Sequence, residues 1–331
     1  MSRVVFFYFH GTDPLIGQWL AAIGQAQGQQ SLGTLTVPGI SRTTTWLDGS
    51  PRNDPFCSLL DPNIFEAYSV AYPALFIPFA PSVNTGITKL IALINALPDG
   101  QKYMIGGYSQ GAVIAGTVYS RIKSGQLGTK AANNFLGGLC FGSPIRQQDY
   151  RGEVGGNWSG CWDIPNSGTG GHGQFATNGT FPRLTNCDPT RWIEFADYGD
   201  IFACTSDTQR GRNWTAASNV LNDITNLLTL PASLASVLAD VGAAMGPEYG
   251  QKVNTYTDAT GRVFDFPGNG HTAYPWRPPP GDPDNGLTSY QIAVKWLTGK
   301  ALQYATAPIV MPTSPTGDSS TTAGWTTQLT A

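Results

Sequence analysis

Near-continuous apolar runs alternate along this chain with segments whose apolar residues recur every three or four positions. The first kind covers residues 4–10, 103–106, 135–141 and 192–198, with shorter runs at 35–37 and 68–72. A strand covered by helices on both faces has no side that needs to be polar, so such runs predict buried parallel strands. The second kind covers residues 14–28, 82–97, 110–123 and 290–304. In the first of these Leu15, Trp19, Leu20 and Ile23 share a helical face, with Pro14 near the start and Gly28 at the end. In the second, Ile87, Leu90, Ile91, Ile94 and Leu97 do the same, and Pro98-Asp99-Gly100 closes the helix. Strands alternating with helices predict an α/β fold with a doubly wound, mostly parallel sheet.

Two stretches break the alternation. Residues 146–189 are rich in Gly, Asn and Trp and read as a long surface loop. Residues 213–253 carry a helical pattern without strands: Leu221, Ile224, Leu227 and Leu228, then Leu234, Val237, Leu238 and Val241, broken at Pro231. They are expected to form an inserted helical lid or linker subdomain. The catalytic domain is then residues 1–212 and 254–304. Residues 305–331 are rich in Pro, Ser and Thr and are expected to be a disordered tail.

The chemistry concentrates where the run at 103–106 meets the helix at 110–123. Between them stands Gly107-Tyr108-Ser109-Gln110-Gly111, a Gly-x-Ser-x-Gly between strand and helix. In a chain with 40 glycines the five letters alone mean little, but this context is what a nucleophile elbow requires. The serine sits on a strained turn, and the helix N-terminus beside it offers free N–H groups to a developing oxyanion.

A serine hydroxyl needs a base, and the base needs an orienting acid. In α/β-hydrolases the chain order is Ser, then Asp or Glu, then His. Only three histidines are present. His10 and His172 fit that order poorly, whereas His271 lies C-terminal in a Gly-rich loop before the last helix. The acid belongs after a late strand, since ligand-facing groups gather at strand C-termini. Asp200 fits there, with Asp197 and Asp207 as rivals. The loop after the first strand, His10-Gly11-Thr12-Asp13, should supply the second oxyanion donor, so the backbone N–H groups of Thr12 and Gln110 are the two candidates. Asp13, before Pro14, reads as a helix N-cap. Such a triad needs no metal and no cofactor.

Composition narrows the partner. The apolar share of 41% allows a full core, while charged residues make up only 12%, about half of the usual ~25%. With a net charge of −3 nothing points to nucleic acid or an anionic membrane, and the neutral polar surface suits a glycan or mixed glycan–lipid ester. No run approaches a membrane span, and the first residues read as a core strand rather than a signal peptide. The five cysteines are scattered, without a Cys-x-x-Cys pair. Structural thiols, with room for one or two bridges, are expected rather than a zinc site. A monomer is expected.

Gly107-Tyr108-Ser109-Gln110-Gly111 resembles the elbow of cutinases. Gly199-Asp200-Ile-Phe-Ala-Cys204 is similar to their acid step with one residue more, and His271-Thr-Ala-Tyr274 to their His-x-Ala-Tyr. The opening Phe9-His10-Gly11-Thr12 and the helical insertion after Gly-Asp resemble the lysin B family of mycobacteriophages over roughly residues 1–303. That resemblance implies a cutinase-like α/β-hydrolase with Ser109 as nucleophile, Asp200 as acid and His271 as base. It implies cleavage of the ester between mycolic acids and arabinogalactan, with mycolyl-arabinogalactan as the partner. An enzyme of this kind without a signal peptide would be made in the host cytoplasm and reach the cell envelope once the inner membrane is permeabilised. The rival expectations are an esterase, lipase or acyltransferase on another long-chain acyl ester, and a non-catalytic cell-wall-binding protein on a hydrolase fold.

Overall fold

The structure is a computed structural model, and it describes residues 3–12, 44–45, 51–52, 56–75, 78–148, 150, 171–196, 200, 202–205, 209–223, 256–257, 263–264, 271, 274 and 287–306. The predicted helix over 14–28, the short strand over 35–37, the insertion beyond Asp223 and the tail beyond Thr306 lie outside these residues, as do Asp13, Asp197 and Asp207.

Five parallel strands carry the fold: β1 (Val4–Phe9), β2 (Phe65–Ser69), β3 (Tyr103–Tyr108), β4 (Phe135–Phe141) and β5 (Trp192–Phe195). Their order across the sheet is β2-β1-β3-β4-β5. Alternate residues of β1 enter opposite layers. Val5, Phe7 and Phe9 pack under the helices α1 (Phe79–Ala96) and α2 (Gln110–Lys123). Val4, Phe6 and Tyr8 pack with Phe56, Leu60 and the helix Ser289–Thr306 on the other face. Each such apolar side chain, once fully buried, stabilises the fold by roughly 1.5–3 kcal/mol. The doubly wound sheet expected from the apolar runs is therefore present.

The remaining described α-helices are α3 (Gly128–Asn134), which leads into β4, and α4 (Gln209–Asp223), so the helix Ser289–Thr306 is α5. Helix α4 spans residue 213 and docks on the sheet's helical layer. Trp214 stands edge-on to Phe202 at 6.1 Å, Ser218 Oγ donates to Gln174 Oε1 at 3.3 Å, and Asn219 Oδ1 accepts from Ala176 N–H at 3.2 Å. Two small antiparallel ribbons, Thr44–Thr45 with Pro51–Arg52 and Tyr256–Thr257 with Val263–Phe264, complete the described strands. Among the described residues no helix is long and apolar enough to cross a membrane.

Strand order fixes where a site can form. The chain leaves β1 toward β2 on one side, then builds β3, β4 and β5 on the other. The carboxyl ends of β1 and β3 thus flank the switch point, where the connecting loops part and leave a crevice.

Three predicted elements differ from those observed. β2 starts at Phe65, three residues before the predicted 68–72, and pairs Phe65 with Val4. Beyond Ser69, Val70 N–H still donates to Tyr8 O at 2.8 Å before the chain turns away. Helix α1 starts at Phe79, with Pro81 in its first turn, where a missing N–H costs nothing. The predicted surface loop over 146–189 is interior over much of its described part: Arg146, His172, Phe175, Phe181, Leu184 and Cys187 are all buried. Its backbone is held without helix or sheet, by Gly173 N–H to Arg146 O, Phe175 N–H to Pro144 O and Leu184 N–H to Ile145 O, at 3.0, 3.0 and 2.8 Å. Room for disulfides is not used among the described cysteines. Cys57, Cys140, Cys187 and Cys204 are all buried.

One buried charge site follows from this layer. Glu194 of β5 is fully enclosed, and among the described residues neither carboxylate oxygen has a hydrogen bond of full geometry. Burial pushes its carboxyl up to about 7, while Arg146, the Trp192 indole, the Gln147 backbone and Ser143 oppose the rise from longer range. The native state therefore keeps a proton that the unfolded chain releases near 4.5. Stability from this group is full below about pH 4.5 and declines as pH rises through 7, by on the order of 3 kcal/mol. Glu194→Gln should flatten that decline and raise the melting temperature at pH 8 more than at pH 5. Scanning calorimetry across this range checks it, and an unchanged slope would refute it.

Candidate active site

Helix α2 begins immediately after β3, and the residue between them is Ser109, with φ 54° and ψ −119°. A non-glycine residue held there stores on the order of 1–3 kcal/mol of strain. The surroundings enforce it. Ser109 N–H donates to Phe141 O at the end of β4, at 2.9 Å. The backbone crosses itself so closely that a methyl on Gly107 would lie 2.2 Å from Gly111 O, and one on Gly111 would lie 2.1 Å from Phe9 O. The turn lifts the serine hydroxyl clear of the sheet at the switch point.

Two side chains from distant segments meet it there. Ser109 Oγ lies 2.8 Å from His271 Nε2, and His271 Nδ1 lies 2.8 Å from Asp200 Oδ2. A carboxylate cannot donate, so Nδ1 carries the hydrogen; in the neutral ring Nε2 is then free to accept from the serine hydroxyl. Asp200 is fully buried, and its other oxygen accepts from Phe202 N–H at 2.9 Å and from Ala203 N–H at 3.3 Å. The His271 side chain keeps 12% exposure, enough to face an entering substrate.

The described strands and helices form an α/β fold with a doubly wound, mostly parallel sheet. Among solved structures the chain is similar to lysin B from Mycobacteriophage D29, at 18% identity over 89% of this chain and 99% of that one, with a TM-score of 0.49. It is also similar to a cutinase-like protein from Cryptococcus sp., at 17% identity over 67% and 91% with a TM-score of 0.34. An acetylxylan esterase shows 14% identity over 66% and 97%, with a TM-score of 0.31. No family model and no curated protein matches the chain.

The fold thus brings Ser109, Asp200 and His271 together, and leaves the other two histidines elsewhere. His10 Nδ1 lies 2.7 Å from Gly11 O and its ring leans on Tyr72. His172 is buried, and its backbone pairs with Thr205 in both directions at 3.0 and 2.7 Å, so it braces the segment that follows Asp200. Gly11 packs on the elbow, where a methyl would come within 3.0 Å of Ser109 Cβ, and Thr12 follows it half-exposed. Gln110 is the first residue of α2, so its backbone N–H has no partner inside the helix. Its buried side chain donates from Nε2 to Leu75 O at 2.7 Å and so ties the loop after β2 to the elbow.

Several residues that shape the site were not singled out from the sequence. Gly142 has φ 59°, and a methyl there would lie 2.8 Å from both Asp200 Oδ2 and His271 Nδ1, so the acid–base contact itself requires glycine. Its place directly after the β4 run was the available signal. Arg146 is wholly buried and donates from Nε to Ala203 O at 2.6 Å, holding the Asp200 loop from below. Tyr108 OH donates to His271 O at 2.7 Å, and its ring lies 5.0 Å from the imidazole. Phe202 covers the imidazole from another side at 4.5 Å.

Proposed function

We propose that this protein is a serine carboxylic-ester hydrolase that cleaves the ester between mycolic acids and arabinogalactan. The observation that carries the esterase part is the unbroken line of hydrogen bonds from Asp200 through His271 to Ser109 on a strained elbow. Ser109 Oγ attacks the ester carbonyl while His271 Nε2 takes its proton. Asp200 fixes the imidazole and stabilises the imidazolium. The N–H groups of Thr12 and Gln110 hold the tetrahedral oxyanion. The alcohol leaves with the proton from His271, and water, activated by the same ring, then releases the acid from Ser109. Every step uses side chains and backbone of this chain.

The substrate rests on the motif resemblance to lysin B and on a sparsely charged sequence, with 12% charged residues, which suits a glycolipid rather than an ionic partner. The test is incubation of the pure protein with isolated mycobacterial mycolylarabinogalactan, followed by mass spectrometry of free mycolic acids. Release by the wild type and not by Ser109→Ala is the expected result. Hydrolysis of a p-nitrophenyl ester without release of mycolate would overturn the substrate and leave the chemistry standing.

A further inference from the structure

Asp200 Oδ2 accepts two hydrogen bonds, one from His271 Nδ1 and one from the hydroxyl of Tyr274 at 2.6 Å. A triad needs only the first. Tyr274 is itself buried, with its ring among Phe141 at 5.8 Å and Tyr108 at 6.4 Å, while Phe141 packs on Tyr290 at 4.6 Å. This aromatic packing fixes where the hydroxyl points. Burial and the neighbouring carboxylate drive the Tyr274 phenol well above its ordinary range, so it remains a donor at every working pH.

We propose that Tyr274 is a positioning residue that shares the negative charge of Asp200 with His271 and thereby weakens the hold of the acid on the protonated ring. The inference rests on the hydrolase reading given above. The two donors compete for one oxygen. Each donor to Oδ2 withdraws some of the charge available to the other. A strong phenol donor lowers the hold of the carboxylate on the imidazolium, and its removal strengthens that hold. The same bond locks the carboxylate rotation, so that Oδ1 stays on the N–H groups of Phe202 and Ala203. Among the described residues, the other titratable or charged groups turned toward this cluster are Tyr108 of β3, Tyr290 of α5, Cys204, and Arg146, which reaches Cys204 Sγ at 3.7 Å. Tyr108 is likewise driven up by burial, so it adds no charge. Among the described residues, Tyr274 is thus the side chain besides His271 with a bond directly to the acid, at 2.6 Å.

The test compares the full-length wild type with Tyr274→Phe, using p-nitrophenyl butyrate across pH and NMR titration of the His271 ring. In Tyr274→Phe the acid limb of kcat/KM and the ring titration should both move to higher pH, by on the order of half a unit. The value of kcat should fall about tenfold while KM stays put, since Tyr274 touches no substrate. Incorporation of 3-fluorotyrosine at position 274, a stronger donor of nearly the same shape, should move the limb the opposite way. It also serves if the Phe variant fails to fold. A merely structural tyrosine would move neither limb nor titration, and that result overturns the proposal while an active wild type keeps the hydrolase reading. If the wild type hydrolyses nothing and a fluorophosphonate leaves Ser109 unlabelled, the hydrolase reading falls, and the ring titration alone then decides whether Tyr274 competes for Asp200.

Discussion

Ser109→Ala should lower kcat on any ester by about a thousandfold or more, equivalent to roughly 4 kcal/mol of lost transition-state stabilisation. The substitution removes the only atom in the described site that is both 2.8 Å from an imidazole nitrogen and raised on a helix N-terminus. Its effect on the fold should be small. The backbone strain at φ 54° is the same for alanine, and the lost hydroxyl bonds only to a partly exposed ring. Steady-state kinetics with a p-nitrophenyl ester, beside a thermal melt, measures both. Residual turnover above about a tenth would contradict the role of Ser109 as nucleophile. Collapse of the melt would mean that the hydroxyl holds structure as well.

Gly111→Ala should cost on the order of 3–5 kcal/mol, although it adds a single methyl to a residue in the first turn of a helix. Elsewhere in a helix that change stabilises by roughly 0.5–1 kcal/mol. Here the new carbon would lie 2.1 Å from Phe9 O and 2.5 Å from His10 O, both of them backbone. Relief requires moving α2 off the end of β1. That strains the pairing of Phe9 with Gly107 and tilts Ser109 away from His271. The fraction that folds should lose at least about a hundredfold in kcat, because misplacement by a fraction of an ångström is enough. Gly299→Ala in α5, where nothing lies within 4 Å, is the matched control and should be neutral or mildly stabilising. Urea denaturation of the two variants separates the outcomes. Equal stability would mean that the crossing at the elbow is looser than these distances state.

The sequence was most informative where one physical demand dominated. A strand buried on both faces must be apolar throughout, so β1, β3 and β4 stood out as runs, and the elbow followed from its place between β3 and α2. Ser109, Asp200 and His271 stood out as candidates because triad order and a shortage of histidines left few choices. β2 was misplaced by three residues because Tyr68–Tyr72 carries as many aromatics in its loop as in its strand, and only pairing with β1 decides between them. The interior segment after Arg146 was missed for a different reason. Its apolar residues, Phe175, Phe181, Leu184 and Cys187, follow no period, since its backbone bonds to neighbouring loops instead of to a ladder. Arg146 gave no sign at all, as an arginine buried for its hydrogen bonds looks in a sequence like any surface arginine. The charge-sharing place of Tyr274 depends on a rotamer and an aromatic surround that no spacing encodes.

The contact between Ser109 and His271 joins residues 162 positions apart, and that between His271 and Asp200 spans 71. Closing chain segments of this length carries an entropy cost that nearby packing must already be in place to offset. The sheet from β1 to β5 is complete by residue 195, and the buried Trp192, stacked on Tyr119 at 4.3 Å, reports its formation. On refolding, tryptophan emission should thus recover before hydrolysis does. Under the proposed reading, a chain that has regained its sheet still lacks a base beside its nucleophile, and turnover should be the last native property to return.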